Sequence, residues 1–198
     1  MKRTGLLAAA AALAVAAVTS AQPSGGWLTG QTGRGTARWA RQGEALTYEG
    51  GAAFGWAVRE GASYRDGWVE TRFKPTAGRE DRAGGVVWRW RDGDNYYVAR
   101  ANALEDNVVA YKVVRGRRTD LTLVGAAPGT YGVKVPVPAG VWHTLRVDFT
   151  GARFEIAYDG RRLFAVHDDT FPDAGLVGIW SKADSVAEFN QFRQEGTP

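Results

Sequence analysis

The sequence predicts an all-β fold, a two-sheet sandwich or jelly roll, on three observations. About a dozen short runs of alternating apolar residues are separated by turn signals at near-regular spacing. The 198 residues include 26 Gly and 8 Trp, which suit many turns and broad strands. After the N-terminus, apolar residues nowhere recur at the helical period. No unit repeats at a fixed interval, which argues against a propeller or solenoid.

In chain order, Met1, Lys2 and Arg3 form a short basic head, an apolar run covers 6–18, and Thr19, Ser20 and Ala21 make a small-residue cleavage site. This pattern predicts a signal peptide over 1–21 and a secreted or periplasmic protein. The apolar run falls short of the ~20 residues of a membrane span, so no span is expected in the mature chain; an uncleaved anchor is the alternative. Gly, Ser and Thr dominate 22–35, which reads as a flexible lead-in with Trp27 tucked against one β-sandwich domain over 36–198. The chain has no Cys, hence no disulfide, and its stability must come from packing. Lys and Arg number 25 against 21 Asp and Glu, and cleavage after residue 21 would remove Lys2 and Arg3. So small an excess, without a long basic block, argues against a nucleic acid partner.

Strands are expected over 36–41, 45–49, 54–58 and 68–74. The last alternates Val69, Thr71 and Phe73 with Trp68, Glu70, Arg72 and Lys74, and Pro75 reads as its end. The central stretch 84–118 reads as three strands joined by polar turns at 92–95 and 104–107. Val86, Trp88 and Trp90 fall on one face by alternation, followed by Tyr97, Ala99 and Ala101 and then Val109, Tyr111 and Val113. Antiparallel pairing of those rows would gather Arg89, Arg91, Arg100, Asn102 and Lys112 opposite them. An ordinary wet sheet face also looks like this, but converging cations repel unless carboxylates, a polyol or an anionic ligand sit among them. The Arg115 to Arg118 segment reads as a solvated hairpin tip, and 126–140 as a Pro- and Gly-punctuated excursion containing Tyr131. Strands follow over 121–124, 141–149, 153–158, 162–166, 175–180 and 186–192, with Asp159-Gly160 marking a type I′ hairpin.

Three segments carry a resemblance: AGGVVWRWRDGDNYYVARANALEDN, VPAGVWHTLRVDFTGARFEIAYDGRRLF and DAGLVGIWSKADSVAEF. Together they resemble secreted bacterial domains of the concanavalin A-like lectin/glucanase superfamily, close to laminin-G-like and 3-keto-disaccharide hydrolase-like domains. The resemblance implies a jelly roll of two curved antiparallel sheets with a saccharide or catalytic site on the concave face. The fold hosts lectins, glycosidases and lyases alike. Family 16 glucanases, similar in fold, carry a Glu-x-Asp-x-Glu pattern on one strand, and this sequence has none, which argues against classical glycoside hydrolysis.

The reading is a carbohydrate- or glycoconjugate-binding module whose concave, Arg-rich face carries Glu70, Arg72, Arg89, Arg91, Arg100, Asn102 and Lys112. Trp68, in register with Glu70, and Trp180, aligned with Lys182, supply flat platforms for sugar C–H groups. Two alternatives stay open: an enzyme acting on 3-keto-glycosides, and a laminin-G-like adhesion module contacting protein. For the enzyme, Glu70, Asp106 or His143 would be the base, with Arg89, Arg100 and Lys112 stabilising an enolate; His143 shares parity with Leu145 and Val147, as a core histidine would. Asp92, Asp94 and Asn95 offer hard oxygen ligands for Ca²⁺ in one turn, as do Glu105, Asp106 and Asn107 in the next, against the reading of two Asx-stabilised turns.

Overall fold

The computed structural model describes residues 26–198, so the signal peptide expected over 1–21 lies outside the described residues. Among the described residues, fifteen strands form two sheets in which every neighbouring pair is antiparallel. The first sheet runs in the order β1 (Trp27–Gly35), β4 (Ala52–Tyr64), β14 (Gly175–Ala183), β6 (Ala83–Asp92), β7 (Asn95–Asn102), β8 (Asn107–Val114) and β10 (Val133–Lys134), with β9 (Arg117–Asp120) also paired to β8. The second runs β13 (Arg161–His167), β12 (Arg153–Tyr158), β11 (His143–Thr150), β5 (Asp66–Ala77), β15 (Val186–Thr197), β3 (Ala45–Glu49) and β2 (Trp39–Gln42). This is the all-β jelly-roll sandwich that the alternation predicts.

The main core lies between the sheets, where Val86, Trp88, Tyr97 and Ala99 of the first meet Val69, Phe73, Val147 and Phe154 of the second. Trp88 stacks on Tyr97 at 5.3 Å, and Phe154 closes edge-on against Trp88 at 5.2 Å. Each such fully buried ring stabilises the fold by roughly 1.5–3 kcal/mol. At the β12–β13 hairpin, Asp159 and Gly160 have φ of 47° and 75°, the two positive values that a type I′ turn requires.

The first sheet departs from the expected one-sided pattern because both of its faces are apolar. Trp56, Val58, Val87, Tyr96, Val98 and Trp180 form a second cluster on its outer side. Arg100 pairs with Val109 and Val98 with Tyr111, so Val109, Tyr111 and Val113 share the face of Arg100 and not the core. Lys112 therefore points to the opposite side. A bulge between Trp88 and Asp92, with Arg89 at φ 46°, flips the rest of β6. Trp90 consequently leaves the core row of Trp88 and packs on Trp56 at 4.9 Å on the outer face.

Four further expectations are corrected. Residues 27–35 are no flexible lead-in but strand β1, paired to β4 from Trp27↔Arg59 to Gly35↔Ala52. Its glycines permit close approach: a Cβ on Gly30 would lie 2.5 Å from the Trp56 ring. Pro75 sits within β5, buried opposite Ala187. Arg117 and Arg118 belong to strand β9, while 121–124 contributes only the bridge Leu123↔Val166.

Candidate functional site

The outer face of the first sheet carries a continuous polar line set in an aromatic bed. Lys182 on β14 contacts the Asp81 carboxylate at 2.6 Å. Asn102 Nδ2, at the end of β7, donates to Asp81 at 2.7 Å and to Glu105 at 2.9 Å. Arg100 Nη2 then donates to Glu105 at 2.8 Å, to Tyr111 Oη at 3.0 Å and to Tyr131 Oη at 3.2 Å, while Nη1 donates to Asn107 Oδ1. Arg100 is 0% exposed. Beside it, Gly85 pairs with both Arg100 and Trp180, so no side chain rises between them. Arg118 on β9 lies over the Tyr111 ring at 4.4 Å and the Phe54 ring at 4.9 Å. Phe54 is on β4 and Tyr111 on β8, four strand spacings apart, or about 19 Å in a flat sheet. A single guanidinium touches both because the sheet is curled. A groove of about 790 Å³ borders this face and shares Phe54 and Lys182 with it.

The electrostatics suit hydroxyl recognition. Burial raises the Glu105 carboxyl, but hydrogen bonding and charge from Arg100 more than offset it, and the group titrates below its ordinary value. Asp81 and Glu105 share one amide donor, which caps the separation of those oxygens near the ~5–5.5 Å of a retaining glycosidase pair. Each is already matched to a cation, however, and Glu105 lacks the raised value that a general acid needs. A carboxylate held ionised, as Glu105 is, is suited to accept hydrogen bonds from hydroxyls and not to protonate a leaving group.

On the core side of the sheet, burial likewise raises Asp168, while hydrogen bonds from Lys112, Thr170 and Tyr97 bring the net shift below the ordinary carboxylate value. Groups whose folded value is depressed stabilise the native state above the unfolded value, and that stability is lost as pH falls through the folded value. The urea midpoint is therefore expected to hold from pH 7 to about 4.5 and to drop below it as Glu105 and Asp168 titrate. A midpoint unchanged down to about pH 3 would contradict these pairings.

Of the residues singled out in the sequence, the structure brings Arg100, Asn102, Trp180 and Lys182 to this face and distributes the others. Trp68, Glu70 and Arg72 lie on β5 in the other sheet, facing away from the core, with Arg146 over Trp68 at 4.1 Å and Arg72 over Trp142 at 5.2 Å. Arg89, turned by the bulge, is enclosed on the opposite side of the first sheet from Arg100, over the Phe154 ring at 5.4 Å. It donates to the carbonyls of Arg65, Gly151 and Phe171. Arg91 pairs with Asp173, and Lys112 with Asp168 at 2.7 Å. No Arg-rich row forms, because the bulge in β6, the register of β8 and the separation of the two sheets put these cations on different faces.

The candidate bases are equally dispersed. Asp106 accepts from Val137 N at 2.9 Å and so holds a loop. His143 is buried, stacked on Tyr158, with its ring nitrogens 2.9 Å from Asp159 Oδ2 and Pro138 O. In the 92–95 turn, Asp92 accepts from Asp94 N at 2.8 Å and from Asn95 Nδ2, and Asn95 accepts from Arg115 N. These are the bonds of an Asx-stabilised turn. Among the described residues, no three of His, Cys, Asp and Glu cluster as a metal site. Sequence reasoning did not bring Asp81, Tyr111, Arg118 or Tyr131 to this site. One signal for Tyr111 is that its strand is apolar at both parities, the mark of a sheet covered on both sides.

No family model matches the chain, and neither does any curated protein. Solved structures do. A carbohydrate binding module, CBM66, from Bacillus subtilis aligns at 24% identity with a TM-score of 0.71, covering 87% of this chain and 96% of that one. A β-glucanase from Bacillus licheniformis aligns at 12% identity with a TM-score of 0.60, covering 90% and 95%. The GH43 protein BlXynB of Bacillus licheniformis aligns at 15% identity with a TM-score of 0.54 over 80% of this chain but 34% of its own. At such identities the likeness is one of fold, the jelly-roll sandwich.

Proposed function

We propose that this protein is a secreted carbohydrate-binding module that holds its ligand on the outer face of the first sheet. The observation that carries the reading is the line from Lys182 through Asp81, Asn102, Glu105 and Arg100 to Tyr111 and Tyr131. It alternates donors and acceptors over the aromatic bed, with the half-buried ring of Phe54 beside it. Sugars offer hydroxyls that both donate and accept, and C–H faces that stack on rings. The structural likeness to a carbohydrate binding module lends further support. Secretion rests on the N-terminal pattern of 1–21. The 3-keto-glycoside enzyme has less support, since its candidate bases Glu70, Asp106 and His143 lie away from this face. Protein adhesion of the laminin-G kind would favour an exposed apolar patch, whereas the apolar cluster on this face is buried.

A glycan array probed with the protein, with Tyr131→Ala and with Trp68→Ala tests the reading. Tyr131 is 46% exposed at the edge of the line, and Trp68 lies on the other sheet. Saturable glycan binding is expected for the unaltered protein and for Trp68→Ala, and is expected to weaken by about tenfold in Tyr131→Ala. Binding that depends on Trp68 and ignores Tyr131 would place the site on the wrong sheet, and an array without hits would end the carbohydrate reading.

A further inference from the structure

Resting on that reading, the structure assigns the face a preference: we infer that its saccharide carries an anionic group, and that Arg118 receives it. The argument begins with the charges on the face. Lys182 is neutralised by Asp81 and Arg100 by Glu105, each within 3 Å. Arg118 is different. Among the described residues its side chain makes no hydrogen bond or ion pair, and its Nη1 is buried without any acceptor. Its guanidinium carbon lies 4.4 Å from the Tyr111 ring centroid and 4.9 Å from that of Phe54.

Aromatic faces stabilise a cation but supply no acceptor for its N–H groups, so the Nη1 donor stays unspent. A buried guanidinium donor without a partner is costly, and a ligand that satisfies it recovers that cost on binding. The group that fits a planar fork of donors is a planar or tetrahedral oxyanion. On a saccharide this is a uronate carboxylate or a sulfate or phosphate ester. The hydroxyls of the same ligand then meet Glu105, Asn102 and Asp81, whose carboxylates would repel an anion placed at that end of the line. The face is thus polar in the directional sense, with acceptors at the Asn102 end and an unmatched cation toward Phe54 and Tyr111.

The test is calorimetric titration of the protein with three oligosaccharides matched in length: a uronate, a sulfate ester and an uncharged one. At low salt the charged ligands are expected to bind about tenfold or more tightly than the neutral one. The uronate and sulfate arms decide which anion is taken. The preference should shrink as ionic strength rises to about 0.5 M. It should vanish in Arg118→Gln and survive in part in Arg118→Lys, which keeps the charge but loses the fork. Equal binding of neutral and charged ligands by the unaltered protein would overturn this inference and leave the carbohydrate reading standing. No binding of any of the three, on a face that also fails the glycan array, would overturn both.

Discussion

Arg89→Ala is expected to destabilise the protein by about 3–5 kcal/mol, a large share of the ~5–15 kcal/mol that holds a domain folded. The Arg89 side chain is 1% exposed, and its guanidinium is the common partner of three chain segments. Nε and Nη2 donate to Arg65 O at 3.0 and 2.7 Å, Nη2 to Gly151 O at 2.6 Å and Nη1 to Phe171 O at 2.8 Å. These carbonyls belong to the turn between β4 and β5, the turn between β11 and β12, and the loop between β13 and β14. The Asp66 carboxylate stands 3.6 Å away and helps to keep the charge. Burial pushes the guanidinium below its ordinary value, yet an arginine has ample margin to remain protonated. Truncation would leave the carbonyls unpaired around a void.

The backbone at this position offers an internal control. Arg89 sits at φ 46°, where a Cβ costs about 1 kcal/mol and glycine costs none. Arg89→Gly should therefore be no less stable than Arg89→Ala, and more stable by up to about 1 kcal/mol, despite removing one more atom. Urea denaturation of the three proteins measures both differences. If Arg89→Ala lost less than about 1 kcal/mol, the carbonyl cage would be incidental and the residue free for another role.

The same arginine marks where the sequence stops being legible. Strand β3 and the Asp159-Gly160 hairpin can be read from residue type alone, because alternation and a two-residue turn are local properties. The faces of the central strands cannot. Parity propagates only while pairing is regular, and the bulge after Trp88 resets it, so Trp90 and Arg89 exchange the sides that simple alternation gives them. Val109, Tyr111 and Val113 mislead for a second reason: an apolar row marks the core only where the other face is wet, and here both faces are covered. Cation density is no better guide. Arg91, Lys112 and Arg89 each have a partner more than 50 residues distant in sequence, invisible to any local reading. What remains of the expected site, Arg100 and Asn102 with Trp180 and Lys182, survives because each pair sits at i, i+2 on a regular stretch of strand. Arg118 escapes because three neighbouring arginines in a Gly-containing turn look solvated, whereas strand pairing Val113↔Arg118 carries this one over Tyr111.

Arg100→Ala should separate the two functions of the outer face, since it removes the hub of the polar line. Its guanidinium serves Glu105, Asn107, Tyr111 and Tyr131 at once. Asn107 and Tyr111 are buried and lose an acceptor–donor match, costing about 2–4 kcal/mol of stability in total. The Glu105 side chain is 38% exposed and can rehydrate, so its loss of a partner adds little. It is also released from the cation that keeps its carboxyl low, and the acid-induced loss of stability near pH 4 should become shallower in the variant. For ligand binding the expectation is sharper: a face whose donors and acceptors are fixed by one buried guanidinium loses both its direct contacts and their alignment, a loss of roughly 2–5 kcal/mol, or about thirtyfold at the least. Glu105→Gln provides the contrast, because it preserves shape and keeps an acceptor for Arg100 while removing charge; binding should weaken less than in Arg100→Ala and the acid transition should still flatten. Calorimetry on the array's best ligand, paired with urea midpoints between about pH 3 and 7, reads all of these at once. A folded Arg100→Ala that binds as tightly as the parent would show that the line is a structural network and that the ligand lies elsewhere on the molecule.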